Sequence, residues 1–385
     1  MKRLNDKVVL FGDHDENTIK QIQKVADHWA VERAAVLADG HMGYAFPIGG
    51  VAAYHDHLSL SGVGFDIGCG NKAVRLNVKG TLVQKSIKKI MDDVVKHVSF
   101  GQGRANQTRV DHEVFDGDVW KLPSTRALKE LARTQLGTVG GGNHFCNIAV
   151  DENDDVWVCV HFGSRGLGHK ITKWFIEEAD ASDDMMAAPV VFHEKSALGE
   201  EYIEAMQLGL RYAYAGRDWV CDEVTRLIGA KIVESVHNNH NFAQKEIHEN
   251  EELWVVRKGS TPAMPGQRGF IGSSMAEESV IVEGVKSKWN KETLSSTVHG
   301  AGRAISRSMA TGKRNRKTGQ LELNPNGTVK RAPMVTDEMM QSWVGQADVE
   351  LRGGDVDEAP QCYKRLPEVL AEQGDTIKIL HRLQP

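Results

Sequence analysis

Seven short segments of this chain carry Asp, Cys, His, Asn, Ser or Arg, all but the fifth beside glycine: DGHMG (39–43), GVGFDIGCG (62–70), GGGNHF (140–145), HFGSRGLGH (161–169), HNNHNFA (237–243), IGSSMAEES (271–279) and HGAGR (299–303). Glycine lets backbone approach a ligand closely, while carboxylate, thiolate and imidazole are the groups that transition metals bind. The pattern points to a metal site with an anion beside it. Asp66 and Cys69 stand three apart around a glycine turn, so a carboxylate and a thiolate can face one cation. His144 follows a glycine run and Asn143, His161 ends an apolar run, and His240 lies in HNNHNFAQKE, where a helix would turn His237 to the same side. Taken singly, each has an ordinary reading as a small buried thiol or a hydrogen-bonded core imidazole. Together Asp66, Cys69, His144, His161 and His240 form a mixed O/S/N set suited to a borderline divalent ion such as Mn²⁺, Zn²⁺ or Fe²⁺.

A second set suits phosphate. Arg165, Ser274, Arg303 and the SSTVHGAGR turn offer guanidinium, hydroxyl and backbone N–H groups. His299 sits where a turn exposes an imidazole, and a histidine nitrogen can attack phosphorus. Lys313, Arg314, Arg316 and Lys317 can track a polyanion backbone or simply form a solvated hairpin tip.

These residues need a scaffold. Apolar spacing predicts helices at Ile19 to Trp29, Ile171 to Glu178, Glu200 to Val233 with a break near Gly216, and Leu366 to Leu383. Strands are expected at Val156 to Phe162, Leu253 to Arg257 and Val280 to Val282. The fold class is therefore α+β, a mixed β-sheet core flanked by helices, with the chemical residues at strand ends and in glycine loops. Candidate ligands spread from Asp66 to His299 must converge from most of the chain, which favours one catalytic domain over 1–385, with 309–333 a β-hairpin insertion turning at Asn326-Gly327.

Composition sets the outer bounds. With 41% apolar and 26% charged residues, the chain has the balance of a folded globular protein. A net charge of −5 excludes a generally basic nucleic-acid coat but leaves room for a local basic groove. The five cysteines are odd in number and lack a C-x-x-C pair, which argues against a disulfide framework or zinc ribbon. The apolar run Val8 to Phe11 is too short for a signal peptide, and Asp39 and His41 interrupt the stretch from Ala34 to Tyr54, so a soluble, cytoplasmic protein without a membrane partner is expected.

DGHMGYAFPIGGV, GVGFDIGCG, GTVGGGNHF, HFGSRGLGH, HNFA, RKGSTPAMPG, SSTVHGAGRAISR and DEAPQCYK, in this order, resemble the RtcB family of RNA-splicing ligases from Asp39 to about Pro385. The resemblance implies an RtcB-like fold with its active site in a central cleft, in an enzyme of tRNA splicing or RNA repair. It implies joining of an RNA 3′-phosphate or 2′,3′-cyclic phosphate to a 5′-hydroxyl, with GTP and two Mn²⁺ ions, and an archease-like activator as partner. By the same resemblance Cys69, His144, His161 and His240 hold the ions, Asp66 bridges them, and His299 is the nucleophile that carries GMP. Asn143, Asn147, Ser274, Ser279, Gly300, Gly302, Arg303 and Tyr363 fall at positions around the nucleotide, and Arg165 and Asn241 at positions near the RNA phosphate.

The chain departs from the family pattern twice. Asn147 stands where members carry an acidic residue that accepts from guanine, and an amide, with its own donor, is a poorer double acceptor. The chain also ends in LHRLQP where members end in a lysine-glycine pair against the nucleotide. Both bear on guanine selectivity and leave the metal and nucleophile segments unchanged. Two other functions fit parts of the pattern: a Mn-dependent phosphodiesterase or phosphatase acting on RNA ends, which would not need His299, and a non-enzymatic RNA-end binder, which would not need two cations.

Overall fold

A computed structural model describes residues 1–182, 184–315 and 318–385. Two main sheets organise it. The first runs in the order Lys2–Arg3, Val8–Leu10, Val31–His41, Ile48–Tyr54, Glu251–Lys258, Asn241–His248, and its Val8–Leu10 strand pairs parallel with Val31–His41. The second, antiparallel throughout, runs Ile232–Asn239, Gly70–Lys79, Asp155–Phe162, Phe145–Val150.

Alternation along Asp155–Phe162 decides what covers each face of the second sheet. Val156, Val158, Val160 and Phe162 pack with Val220, Cys221 and Val224 of the long helix Ala197–Ile228. Trp157 and Cys159 face the other way, onto Phe270, Ile281 and Leu383 of a three-stranded sheet formed by Arg268–Ile271, Ser279–Gly284 and Ile377–Leu383. A side-chain period of two places His161 in the row of Trp157 and Cys159, at the strand's end. The register sets Asn71 opposite it.

The expected mixture of helices and strands is present, and several boundaries differ. Helix Glu16–Ala26 is capped by Asp15, but Trp29 lies beyond it and is 74% exposed rather than on its buried face. The long helix runs through Gly216 without a break and stops at Gly229, whose left-handed φ of 78° glycine adopts freely. Residues Ile232 onward are strand, not helix. The expected C-terminal helix is divided into helix Leu366–Gln373 and strand Ile377–Leu383, which adds an edge to the third sheet. His237 and His240 lie on and just after a strand rather than on one helix face. Around Asn326-Gly327 the backbone turns through Asn324 and Thr328, with bridges Leu323–Val329 and Arg314–Leu321. Of the basic cluster, Lys313 and Lys330 share Glu322, Arg314 bonds the carbonyls of Thr311 and Gly319, and Arg316 and Lys317 lie outside the described residues. No described helix is long and apolar enough to cross a membrane.

Candidate metal centre and nucleophile

The ends of the second sheet and the loop after Val63 bring Cys69, His144 and His161 together, their ligand atoms all within 4.8 Å of one another. Cys69 Sγ lies 3.8 Å from Nε2 of both His144 and His161. A shared tetrahedral cation at ordinary Zn–S and Zn–N lengths would set such atoms roughly 3.5 Å apart, so the donor set fits a metal with little movement. Asp66 Oδ2 stands 3.0 Å from His144 Nε2. The close approach of Gly163 to this carboxylate leaves no room for a Cβ, which would collide with Asp66 Oδ1. His240 stacks on His161 with ring centroids 5.1 Å apart, and its buried Nδ1 has no hydrogen-bond partner among the described residues. A buried polar atom left unpaired in this way is costly without a ligand.

Protonation states favour ligation at His161 and His240. Burial, then the neighbouring imidazoles, holds both well below the ordinary histidine range, so both stay neutral. Asn71 Oδ1 accepts from His161 Nδ1 at 2.8 Å, while its Nδ2 donates to Phe270 O; the tautomer is fixed with the Nε2 lone pair toward Cys69. Burial would raise the Asp66 carboxyl, but His144, Arg165 and Cys69 bring it down to about 2. Burial pushes the Cys69 thiol up, so a cation that binds there must displace its proton.

His299 adjoins this cluster, its ring centroid 4.9 Å from that of His240. Its Nδ1 lies 2.5 Å from Oδ2 of the fully buried Asp39, which also accepts the backbone N–H of His299 at 2.9 Å. Burial opposes ionisation of Asp39, yet the charge and hydrogen bonds of His299 hold its carboxyl below the usual range. With Nδ1–H donated to a carboxylate, Nε2 keeps a lone pair for attack. Gly302 packs on the Asp39 carbonyl where a side chain would collide, and Gly300 N reaches Asp39 Oδ2 at 3.4 Å.

The remaining candidates divide between this pocket and a wall beside His299. A bridge between Gly272 and Gly300 sets the 272–279 loop against the His299 turn, and in that loop Ser274 donates to Glu277 and Ser279 Oγ accepts from Ser273 N. Arg303 donates to Glu358 and to the hydroxyl of Tyr363, and lies over that ring. Asn147, half-buried on Phe145–Val150, shares a strand face with Phe145, which covers Gly272. Asn143 stands apart from this wall, with Nδ2 3.3 Å from His161 Nε2. Arg165 donates to His144 Nδ1 at 2.9 Å from a backbone with φ of 57°. Asn241 donates from Nδ2 to Asp66 O and accepts from Gly259 N, which braces the ligand loop.

A family model described as tRNA-splicing ligase RtcB matches residues 21–385. The chain belongs to the RtcB family. It is 31% identical to the RNA-splicing ligase RtcB of Escherichia coli strain K12, over 91% of this chain and 88% of that protein. It is 28% identical to the tRNA-splicing ligase RtcB of Thermococcus kodakarensis, over 96% and 90% respectively. The RtcB match takes in every candidate residue from Asp39 to Tyr363.

Three residues of this RtcB-family site escape a reading of motifs: Asp39, which holds His299; Asn71, which sets the His161 tautomer; and Arg217, which lies beneath both ligand loops. Asp39 and Asn71 stand inside or beside glycine segments already singled out. What made them functional is a partner far along the chain.

Proposed function

We propose that this chain is an RNA ligase, a single catalytic unit over 1–385, that joins a 3′-phosphate or 2′,3′-cyclic-phosphate RNA end to a 5′-hydroxyl end through GMP carried on His299. The observation that carries the reading is the Asp39–His299 pair beside the cysteine–histidine cluster. A hydrolase could use an imidazole held in this way only as a general acid or base, so a covalent nucleotide on His299 separates the two readings.

His299 Nε2 attacks the α-phosphorus of GTP, a P–N bond forms as the bond to pyrophosphate breaks, and the buried Asp39 carboxylate offsets the positive charge that develops on the imidazole. A cyclic phosphate is opened by water to a 3′-phosphate. An oxygen of that phosphate then takes GMP from His299, and the 5′-hydroxyl displaces GMP to form the phosphodiester. Cys69, His144, His161, His240 and Asp66 would hold Mn²⁺, which would supply charge neutralisation for triphosphate and RNA phosphate. To ligate through Nε2, a neutral His144 must carry its proton on Nδ1, which turns away the guanidinium of Arg165 and frees it for a phosphate. Asn147 presents one carbonyl and its own donor to a base, so selectivity for guanine is weaker than a carboxylate there would give.

The test is joining of a 5′-hydroxyl RNA to a labelled RNA ending in 2′,3′-cyclic phosphate. Joined product is expected only with a nucleoside triphosphate and Mn²⁺, and none with His299→Ala; joining by His299→Ala would overturn the reading.

A further inference from the structure

Arg217, on the long helix, is fully buried beneath the ligand loops. Its Nη1 donates to Gly68 O at 2.9 Å and to Phe162 O at 2.6 Å. Gly68 immediately precedes Cys69, and Phe162 immediately follows His161. Its Nε donates to His237 Nε2 at 2.9 Å, and the ring of Tyr214 lies 4.7 Å from the guanidinium carbon. Nη2 is buried without a partner.

A buried guanidinium ordinarily pairs with a carboxylate. Arg257 does so, with Glu246 accepting at 2.5 and 3.0 Å. Arg217 forms no ion pair among the described residues; the neighbouring Asp218 instead bonds Lys72 at 2.7 Å and faces His237 at 3.4 Å. What holds the guanidinium instead is the backbone beside two candidate ligands: one Nη1 joins the carbonyl before Cys69 to the carbonyl after His161.

We propose that Arg217 is the positioning residue of the metal centre: one guanidinium ties the backbone beside Cys69 to the backbone beside His161 and so holds the two ligands at the spacing a cation needs. The role explains why His237, three residues from His240, is turned to the helix side of the sheet: it receives the Nε–H that orients the guanidinium. The inference rests on the metal reading of the site, and Arg217 acts through the ligands rather than on substrate.

Co²⁺ titration of the full-length chain tests it, with binding followed by equilibrium dialysis and by the near-ultraviolet thiolate-to-Co²⁺ charge-transfer band. Arg217→Gln is expected to raise the Co²⁺ dissociation constant by about 10- to 100-fold and to weaken the band, the range for groups that only orient a ligand. Arg217→Lys keeps the charge without the fork and is expected to fall several-fold short of the unmodified chain. Arg257→Gln, a comparable loss in a buried network away from the site, is expected to leave affinity and band unchanged. Unchanged affinity and band in Arg217→Lys overturn the inference, even where Arg217→Gln fails to fold; so does an equal loss in Arg257→Gln. Absence of any thiolate band in the unmodified chain is a different result, which removes the metal reading itself.

Discussion

Cys69, His144 and His161 sit at strand ends and turns whose register fixes them, whereas His299, Ser274 and Arg303 sit on turns held by charges. On the first side, strand pairing places Asn71 opposite His161 and sets one tautomer, and burial keeps the His161 imidazole neutral. On the second, Glu277 joins Ser274 to Arg365, which lies 4.3 Å over Trp343, and Glu358 gathers Arg303, Arg307 and Tyr363. Arg307 is 48% exposed at its side chain. The difference teaches a division of labour. Binding a cation needs donor atoms placed before it arrives, which a sheet provides; following a nucleotide that comes and goes needs ion pairs that can rearrange, which partly exposed turns provide.

Perturbing each side separately should break or sharpen that contrast. The largest effect is expected for Asp39→Asn, which preserves shape but leaves His299 without its carboxylate: transfer of nucleotide to the protein should slow by about 10²- to 10⁴-fold, by comparison with loss of an orienting carboxylate elsewhere, while metal content stays unchanged. Loss of metal in this variant would mean the two sides are one unit. Cys69→Ala should act in the reverse sense, lowering Mn²⁺ occupancy by elemental analysis at least as much as the roughly 10-fold cost of losing an orienting group, with circular dichroism unaltered; full occupancy would remove Cys69 from the ligand set. The smallest effect belongs to Arg307→Ala. Its ion pair with Asp357, 2.6 Å long, is partly exposed, so the KM for nucleotide should rise about threefold at low salt and hardly at all near 1 M, where screening acts within about 3 Å. A loss that persists at high salt would place Arg307 on the nucleotide directly.

How much of this was legible in the sequence follows the same division. Asp66, Cys69, His144, His161 and His240 could be grouped by chemical type, and the fold does bring the cysteine and two of the histidines within ligating distance. Their supports could not be grouped so, because Asp39 meets His299 across 260 residues, Asn71 meets His161 across 90, and Arg217 meets Gly68 across 149. Local patterns carry no information about such pairs until strand register is known. The missed continuity of the long helix has a local cause: one glycine in a helix interior costs only about 1 kcal/mol against alanine, and the helix Ala197–Ile228 carries on through Gly216. Asn241 shows the opposite limit, a polar residue beside a candidate ligand whose amide is used on backbone.

The central claim is that His299 becomes covalently charged with a nucleotide. Incubating the chain with Mn²⁺ and each of the four nucleoside triphosphates labelled at the α-phosphate, followed by a denaturing gel, measures this directly. Acid-labile label is expected on the protein, strongest from GTP but not confined to it because Asn147 replaces a carboxylate, and absent from His299→Ala. No label from any nucleotide, from a preparation that still opens a 2′,3′-cyclic phosphate, would contradict the ligase and leave a hydrolase in its place.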